Sequence, residues 1–326
     1  MLAKPLINED RALSRGMHLV ITGSGSALVD SDRGGASAAV LVDSEVLQFD
    51  CGRLVMENLV RAGIDPTEVD AMFLTHLHFD HIASFGYFMI SNWVASRQRV
   101  LPVMGPEGTS RMARAMVFDG HYTDVEFARG LAGTWPDDVP GRPLPEPPFT
   151  AEDIGEGLVA ETDRWRVTAV AVPHFQKFGV KSLAYRIDSE HGAVVVTGDC
   201  HPTPALQEMA RGADILVNEC AKPDADLVTG GKLTRSTSLA EAGREHTHPH
   251  TTPSWLGESA AAAGVKCVVA THLPPLLAAP AARRMSRVYY GEEAVRSDVF
   301  EEYRRRIAAN FQGRVEIARD GMVLSV

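Results

Sequence analysis

Four metal-binding side chains fall within six residues at His76-Leu77-His78-Phe79-Asp80-His81, directly after the apolar run Ala71–Leu74. Imidazole nitrogen and carboxylate oxygen are the usual donors to catalytic zinc, at about 2.0–2.2 Å. Four such groups on one loop cannot all reach one ion and still leave a position for water. Two ions, about 3.5–4 Å apart, are the natural arrangement. Without a cation, four ionisable groups at one strand end would repel or desolvate one another. A chain with this loop must therefore bring further donors to the same place.

Those donors are sought where the first ones lie, just after apolar strands. His174 follows Val170-Ala171-Val172-Pro173, Asp199 follows Val194-Val195-Val196-Thr197-Gly198, and His272 follows Val268-Val269-Ala270-Thr271. A lone histidine after a strand is ordinarily a polar cap. Beside the cluster at 76–81, all three become candidate ligands. Asp199 has two oxygens and a negative charge, so it can bridge two ions.

The rest of the chain reads as alternating strands and helices. Met17–Thr22, Ala38–Val42, Val46–Phe49 and Leu101–Met104 are short Val-, Leu- and Ile-rich runs, as are Arg166–Val172, Ser182–Ile187, Ala193–Thr197, Asp214–Val217 and Cys267–Thr271. Helical spacing appears at Leu54, Val55, Leu59 and Val60 with Gly63 as the stop, and again over Phe85–Val94. A helix is expected from Pro253 with Thr252 as cap, and a charged amphipathic one over Glu292–Phe311. Val315–Val326 reads as a hairpin turning at Asp320-Gly321. Residues 130–150 hold nine Gly or Pro in 21 positions, so 105–165 is expected to be a loop-rich insertion or lid within a single 1–326 domain. Two strand-rich halves flanked by helices suggest two sheets packed face to face.

Composition narrows the function. The 326 residues are 45% hydrophobic, without an apolar run long enough to span a membrane or a secretory leader, so a cytoplasmic location is expected. Net charge is −10, from 32 basic and 42 acidic residues, which disfavours nonspecific nucleic-acid binding. Cys51, Cys200, Cys220 and Cys267 show no paired spacing and are expected to be free buried thiols. The Gly23–Gly25 turn is not promptly followed by a helix, which argues against a dinucleotide site.

Several motifs together resemble one family. Thr75 to His81 is similar to the signature loop of the metallo-β-lactamase superfamily, and Phe49-Asp50-Cys51-Gly52 to its Asp-Cys-Gly turn. Gly63 to Asp70 resembles the approach to that loop in the RNase Z-like branch, Thr197-Gly198-Asp199 the bridging-aspartate strand, and Thr271-His272 the last ligand. The resemblance spans about Thr22 to Leu273. It implies an α/β fold, a four-layer αββα sandwich with the site at the rim between the sheets. It implies two Zn2+ (Mn2+ or Fe being possible), one held by His76, His78 and His174, the other by Asp80, His81 and His272, with Asp199 between. Asp50 would orient a ligand histidine. His250, 22 residues before His272 and followed by Thr251-Thr252, would assist the leaving group, supported by Glu219. His246 and His248 are left open between pocket, stray metal and solvent. Relatives are often dimers, so a homodimer using the C-terminal helix is possible.

The resulting expectation is a zinc-dependent hydrolase of a small ester, an aryl sulfate or phosphodiester, using a metal-bound hydroxide oriented by Asp80 at a dinuclear site. RNase Z members use a Gly-rich basic arm to grip tRNA, whereas 105–165 here holds five arginines, no lysine and 12 acidic residues. A small-molecule substrate is therefore expected ahead of RNA. Hydrolysis of a lactone or activated aryl halide, tRNA 3′ processing, and a non-catalytic metal-binding scaffold are the alternatives. Phe79, Phe85, Tyr87, Phe88, Trp93, Trp135, Phe149 and Trp255 are the candidate apolar pocket wall, with Phe79 and Trp255 foremost because they neighbour site residues.

Overall fold

The computed structural model describes residues 15–136, 139, 142, 144–224, 250–275, 279–290 and 297–326. His246 and His248 lie outside them. Fourteen strands form two seven-stranded mixed sheets. In the first, β1 (Met17–Gly23), β2 (Ser37–Val42), β3 (Glu45–Phe49), β4 (Val69–Phe73), β5 (Leu101–Gly105) and β6 (Phe149–Asp153) stand in sequence order, with β14 (Val323–Ser325) outside β1. In the second, β7 (Gly157–Glu161), β8 (Trp165–Ala171), β9 (Leu183–Ser189), β10 (Gly192–Val196), β11 (Ile215–Glu219), β12 (Cys267–Thr271) and β13 (Arg314–Ile317) do the same.

Strand periodicity explains the layering. Side chains alternate between faces with period two. Leu19 and Ile21 of β1, Val40 of β2, Leu47 and Phe49 of β3 and Phe73 of β4 face inward to meet Tyr185, Ile187, Val194, Val196, Val217 and Val269 of the second sheet. Phe49 and Phe73 stack with ring centroids 5.2 Å apart, and Tyr185 tilts against both. Truncating such a ring to alanine costs about 3–5 kcal/mol. The intervening residues are also apolar, because both sheet faces are covered. Val20, Leu41, Val46 and Met72 pack against α1 (Val55–Arg61), α2 (Phe85–Val94) and α3 (Thr109–Arg114). Val195, Leu216, Val268 and Ala270 pack against α5 (Pro204–Met209), α6 (Pro253–Ala263) and α8 (Val299–Asn310), while α4 (Tyr122–Ala132) and α7 (Pro280–Tyr290) complete the described helices. The result is the expected four-layer αββα sandwich. Thr252 caps α6 by accepting from the Trp255 amide, as its sequence indicates.

Three expectations change. First, much of 105–165 is regular: it holds α3, α4 and a π-helical turn Ala115–Asp119, and it ends in β6 and β7, the edge strands of the two sheets. Those strands, FTAED and GLVAE, are mostly exposed; Phe149 and Ala151 alternate with polar residues over too short a stretch to announce a strand, and GLVAE does not alternate. Second, Val315–Val326 is not a hairpin. Gly321 does turn, with φ 77, but β13 pairs with β12 and β14 with β1, so the turn passes from one sheet to the other. Asp320 anchors that crossing by accepting from the amides of Ser24 and Gly34 and from Asn58 Nδ2. Third, α8 begins at Val299, and its apolar residues Val299, Tyr303 and Ile307 are buried against α6 and the second sheet. That face is therefore spent within the chain. All four cysteines are buried and free. Among the described residues no helix is long and apolar enough to cross a membrane.

Candidate metal centre

The strand directions bring the candidate donors together. β3 to β6 run parallel, as do β10 to β13, and β8 runs with β10 because β9 opposes both. The carboxyl ends of β3, β4, β8, β10, β11 and β12 therefore open onto one rim. Asp50 follows β3, the 76–81 loop follows β4, His174 follows β8, Asp199 follows β10, Glu219 ends β11, and His272 follows β12. A single helical turn, Phe79–Ile82, begins after His78 and is tied to the Asp50 loop by Cys51 N–H donating to the His81 carbonyl at 2.7 Å. Gly198 has φ 59 and passes so close to Thr75 that an added Cβ would sit 2.4 Å from the Thr75 Cβ. Only glycine lets the β10 loop deliver Asp199 against the β4 loop.

Two donor groups result. In the first, His78 Nδ1 lies 3.0 Å from His76 Nε2 and 3.1 Å from His174 Nε2. In the second, His272 Nε2 lies 3.2 Å from Asp80 Oδ2, and His81 Nε2 lies 3.8 Å from that oxygen. Asp199 stands between them: its Oδ1 is 3.2 Å from His81 Nε2 and 3.3 Å from His272 Nε2, and its Oδ2 is 3.7 Å from His174 Nε2. All these side chains are buried except His78, which is partly exposed.

Donor spacing tests whether these residues fit a cation. Four ligands about 2.0–2.1 Å from one tetrahedral ion stand about 3.3 Å from each other. Five of the separations, 3.0–3.3 Å, match that edge, while His81–Asp80 at 3.8 Å and His174–Asp199 at 3.7 Å are longer. His81 Nε2, Asp199 Oδ1 and His272 Nδ1 are buried without a well-aligned hydrogen bond, and the first two face each other at 3.2 Å, where an ion between them would satisfy both. The donor set suits zinc and also accepts manganese or iron.

The supporting bonds fix the rings. Asp50 accepts from Thr75 N–H at 2.7 Å and Thr75 O–H at 2.8 Å, and its Oδ2 takes His81 Nδ1–H at 2.7 Å. His81 is thereby held with Nε2 facing the centre. His76 Nδ1 lies 3.1 Å from Thr75 Oγ1, which leaves Nε2 for the centre. Asp50 (φ 58) and His272 (φ 53) adopt left-handed backbone, a strain that concentrates where the surroundings over-determine a site.

Glu219 organises the neighbouring corner. It accepts from the amides of Cys200, Ala221 and Thr251 at 3.2, 2.9 and 3.0 Å, and its Oε1 is 3.0 Å from His250 Nδ1. His250 Nδ1 is also 3.8 Å from Asp199 Oδ2. So the structure brings the candidate metal donors His76, His78, Asp80, His81, His174, Asp199 and His272, the brace Asp50, and His250 with Glu219 into one constellation.

Charge follows from these contacts. Burial opposes the charged form of His250, but the Glu219 charge and hydrogen bond outweigh it and raise its pKa to about 9. Burial likewise opposes charge on His81, yet Asp199 and Asp50 hold it well above the ordinary histidine value. His76 is pushed well below that value by burial, reinforced by His81. Burial would raise Asp199, but His272 and His81 keep it well below the usual carboxylate range. Without ions the cluster balances carboxylates with protons. Metal binding would displace those protons, coupling affinity to pH.

The aromatic wall differs from expectation. Phe85, Phe88 and Trp93 are core, and Trp255 is buried, lying under Lys222. Phe79 is 67% exposed. The ring that meets the site histidines is Phe175, whose centroid is 4.7 Å from His174, 6.0 Å from His78 and 6.3 Å from His250. Its only sequence signal is adjacency to His174.

Comparison with known proteins agrees with this architecture. The family model described as a beta-lactamase superfamily domain matches residues 47–273. Ribonuclease Z of Mycobacterium bovis (strain BCG / Pasteur 1173P2) is 29% identical over 93% of this chain and 96% of its own length. Ribonuclease Z of Mycobacterium sp. (strain KMS) is 30% identical over 93% of this chain and 94% of its own. The crystal structure of the metallo-beta-lactamase fold protein YhfI from Bacillus subtilis superimposes with TM-score 0.65 at 19% identity, covering 95% of this chain and 99% of that one. Proteins of this fold bind divalent metals. The chain belongs to the metallo-β-lactamase superfamily, is RNase Z-like within it, and is a metal-dependent hydrolase.

Proposed function

We propose that this chain hydrolyses a small ester with an aryl leaving group, a phosphodiester ahead of a sulfate ester. The observation that carries the reading is the pairing of a two-group donor cluster with His250–Glu219 beside its shared Asp199. His76, His78 and His174 would hold one zinc, Asp80, His81 and His272 the other, and Asp199 would join them. Bound there, the two ions supply a nucleophile at neutral pH and offset the charge of an in-line displacement.

The chain's own groups do the rest. Asp80, fixed by His272, orients the attacking oxygen. Glu219 holds His250 Nδ1, which leaves Nε2–H as the proton donor to the departing oxygen. A proton donor matters most for esters whose leaving group is poor, such as phenolates and alkoxides. That need favours oxygen esters over an activated aryl halide, whose halide departs without a proton. A phosphodiester takes precedence because the curated relatives carry the name ribonuclease, and ribonucleases cleave phosphodiesters. The same resemblance makes tRNA 3′ processing the second reading. The 12 acidic residues against five arginines in 105–165 weigh against it, because that composition repels a phosphate backbone.

The test is a panel of p-nitrophenyl phosphodiester, p-nitrophenyl sulfate, an aryl lactone and a precursor tRNA, assayed with the zinc-loaded chain. The highest kcat/KM is expected for the phosphodiester. Accurate 3′ cleavage of the precursor tRNA at a kcat/KM above every small ester would replace this reading by the second.

A further inference from the structure

We infer that Phe175 is a specificity-determining residue: its ring, backed by Phe178, forms a wall at the mouth of the centre that selects a planar aromatic leaving group. The inference rests on the small aryl-ester reading above. Three observations carry it. The first is position. The Phe175 ring touches both sides of the reaction site, His174 and His78 among the metal donors and His250 at the leaving-group corner, the last edge to face at 89°. A group departing toward His250 would leave beside that ring.

The second is exposure. Phe175 stays 37% exposed while touching three buried or half-buried histidines, so part of it remains open to a ligand. Phe178, 77% exposed, extends the surface with its centroid 6.2 Å from that of Phe175. Phe178, with most of its ring in solvent, gains little from packing in the free protein. Phe79, although it lies inside the signature loop, makes no ring contact with these histidines among the described residues.

The third is backbone strain. Phe175 has φ 45 and ψ 31, a left-handed conformation that costs an L-residue with a bulky side chain. A short turn holds it there: Phe178 N–H donates to the Phe175 carbonyl at 2.8 Å, and Gly179 (φ 83) donates to the Gln176 carbonyl at 2.9 Å. Glycine or asparagine would occupy this position at lower cost. A strained, partly exposed aromatic ring against the donor cluster is explained by what it contacts when substrate is bound.

The test compares binding of phenylphosphonate and methylphosphonate to the zinc-loaded full chain by calorimetry, which needs no turnover. Aromatic pairing beyond area burial corresponds to about a threefold to tenfold preference for the phenyl ligand in the wild type. Phe175→Leu, which keeps bulk but not the ring, and Phe175→Ala should both lose that preference, with methylphosphonate affinity and zinc content unchanged. Phe175→Gly, which also relieves the left-handed strain, should lose it too. A phenyl preference that survives in Phe175→Ala overturns the inference, as does equal weakening of both ligands. Equal wild-type affinity for the two phosphonates overturns it alone. Binding of neither by the wild type overturns the small-ester reading and this inference together.

Discussion

The two sheets contribute to the same centre in different ways. The first gives four donors from a single loop, His76 to His81, braced from below by Asp50 and Thr75. The second gives one group per strand end: His174, Asp199, Glu219 and His272, with His250 arriving at the start of α6. The first half is a rigid local motif whose spacing is set by one turn of backbone. The second depends on strand register and on the close approach of Gly198 to Thr75. A local motif tolerates errors elsewhere in the fold, whereas a distributed one reports on the packing of the whole sandwich. Different as they are, both halves must supply donors to the same ions, so loss of a donor from either should be felt alike.

The largest expected effect is loss of a donor. His81→Ala and His272→Ala, one from each half, should each lower turnover on the order of a thousandfold, because several kcal/mol of charge stabilisation go with the ion. Circular dichroism should show both folded. Full activity in either, measured after metal reconstitution, would break the comparison. Next comes the leaving-group device. His250→Ala should cost about 10²–10⁴-fold with poor leaving groups and much less with p-nitrophenolate. A flat loss across a leaving-group series would remove His250 from that role.

Smaller effects separate brace from ligand. Asp50→Asn keeps the shape but weakens the hold on His81 Nδ1, so metal affinity should fall about 10–100-fold while the fold persists. Titration with a chromogenic chelator measures it, and unchanged affinity would argue that the first half needs no brace. The mildest expected effect is a pH dependence. In metal-free protein burial opposes the charged form of His250, but the Glu219 charge and hydrogen bond raise its pKa from the ordinary 6.5 to about 9. A folded-state pKa above the unfolded one means that the His250–Glu219 pair stabilises fully below about pH 6.5 and that this contribution disappears as pH rises through about 9. Thermal melts should therefore show wild type losing a few degrees relative to His250→Asn across that window. Parallel curves would contradict the pairing.

The same contrast governs how much could be read in advance. His76 to Asp80 and His81 are legible because ligand chemistry compresses them into one loop. Asp199 and His272 are legible because each follows a strand buried on both faces, and such strands have continuous apolar sequences; His174 follows β8, an antiparallel strand that is legible by its apolar end, Val170-Ala171-Val172. Glu219 and His250 needed the resemblance to a family, since their spacing to other groups has no local physical logic. What stayed hidden lacks both signals. β6 and β7 are edge strands with solvent on most of their surface, so alternation is confined to Phe149 and Ala151 in β6 and absent from β7. The Asp320-Gly321 turn announces a reversal but not that its two arms enter different sheets. Phe175 is one aromatic among many until the backbone turns its ring against three histidines.

The central claim is that the two halves converge on a shared pair of ions, and anomalous X-ray diffraction from zinc-loaded crystals addresses it directly. The account expects two anomalous peaks per chain, about 3.5–4 Å apart, one against His76, His78 and His174, the other against Asp80, His81 and His272, with Asp199 reaching both. A single peak at full zinc occupancy, or two peaks that leave Asp199 uncoordinated, would contradict it.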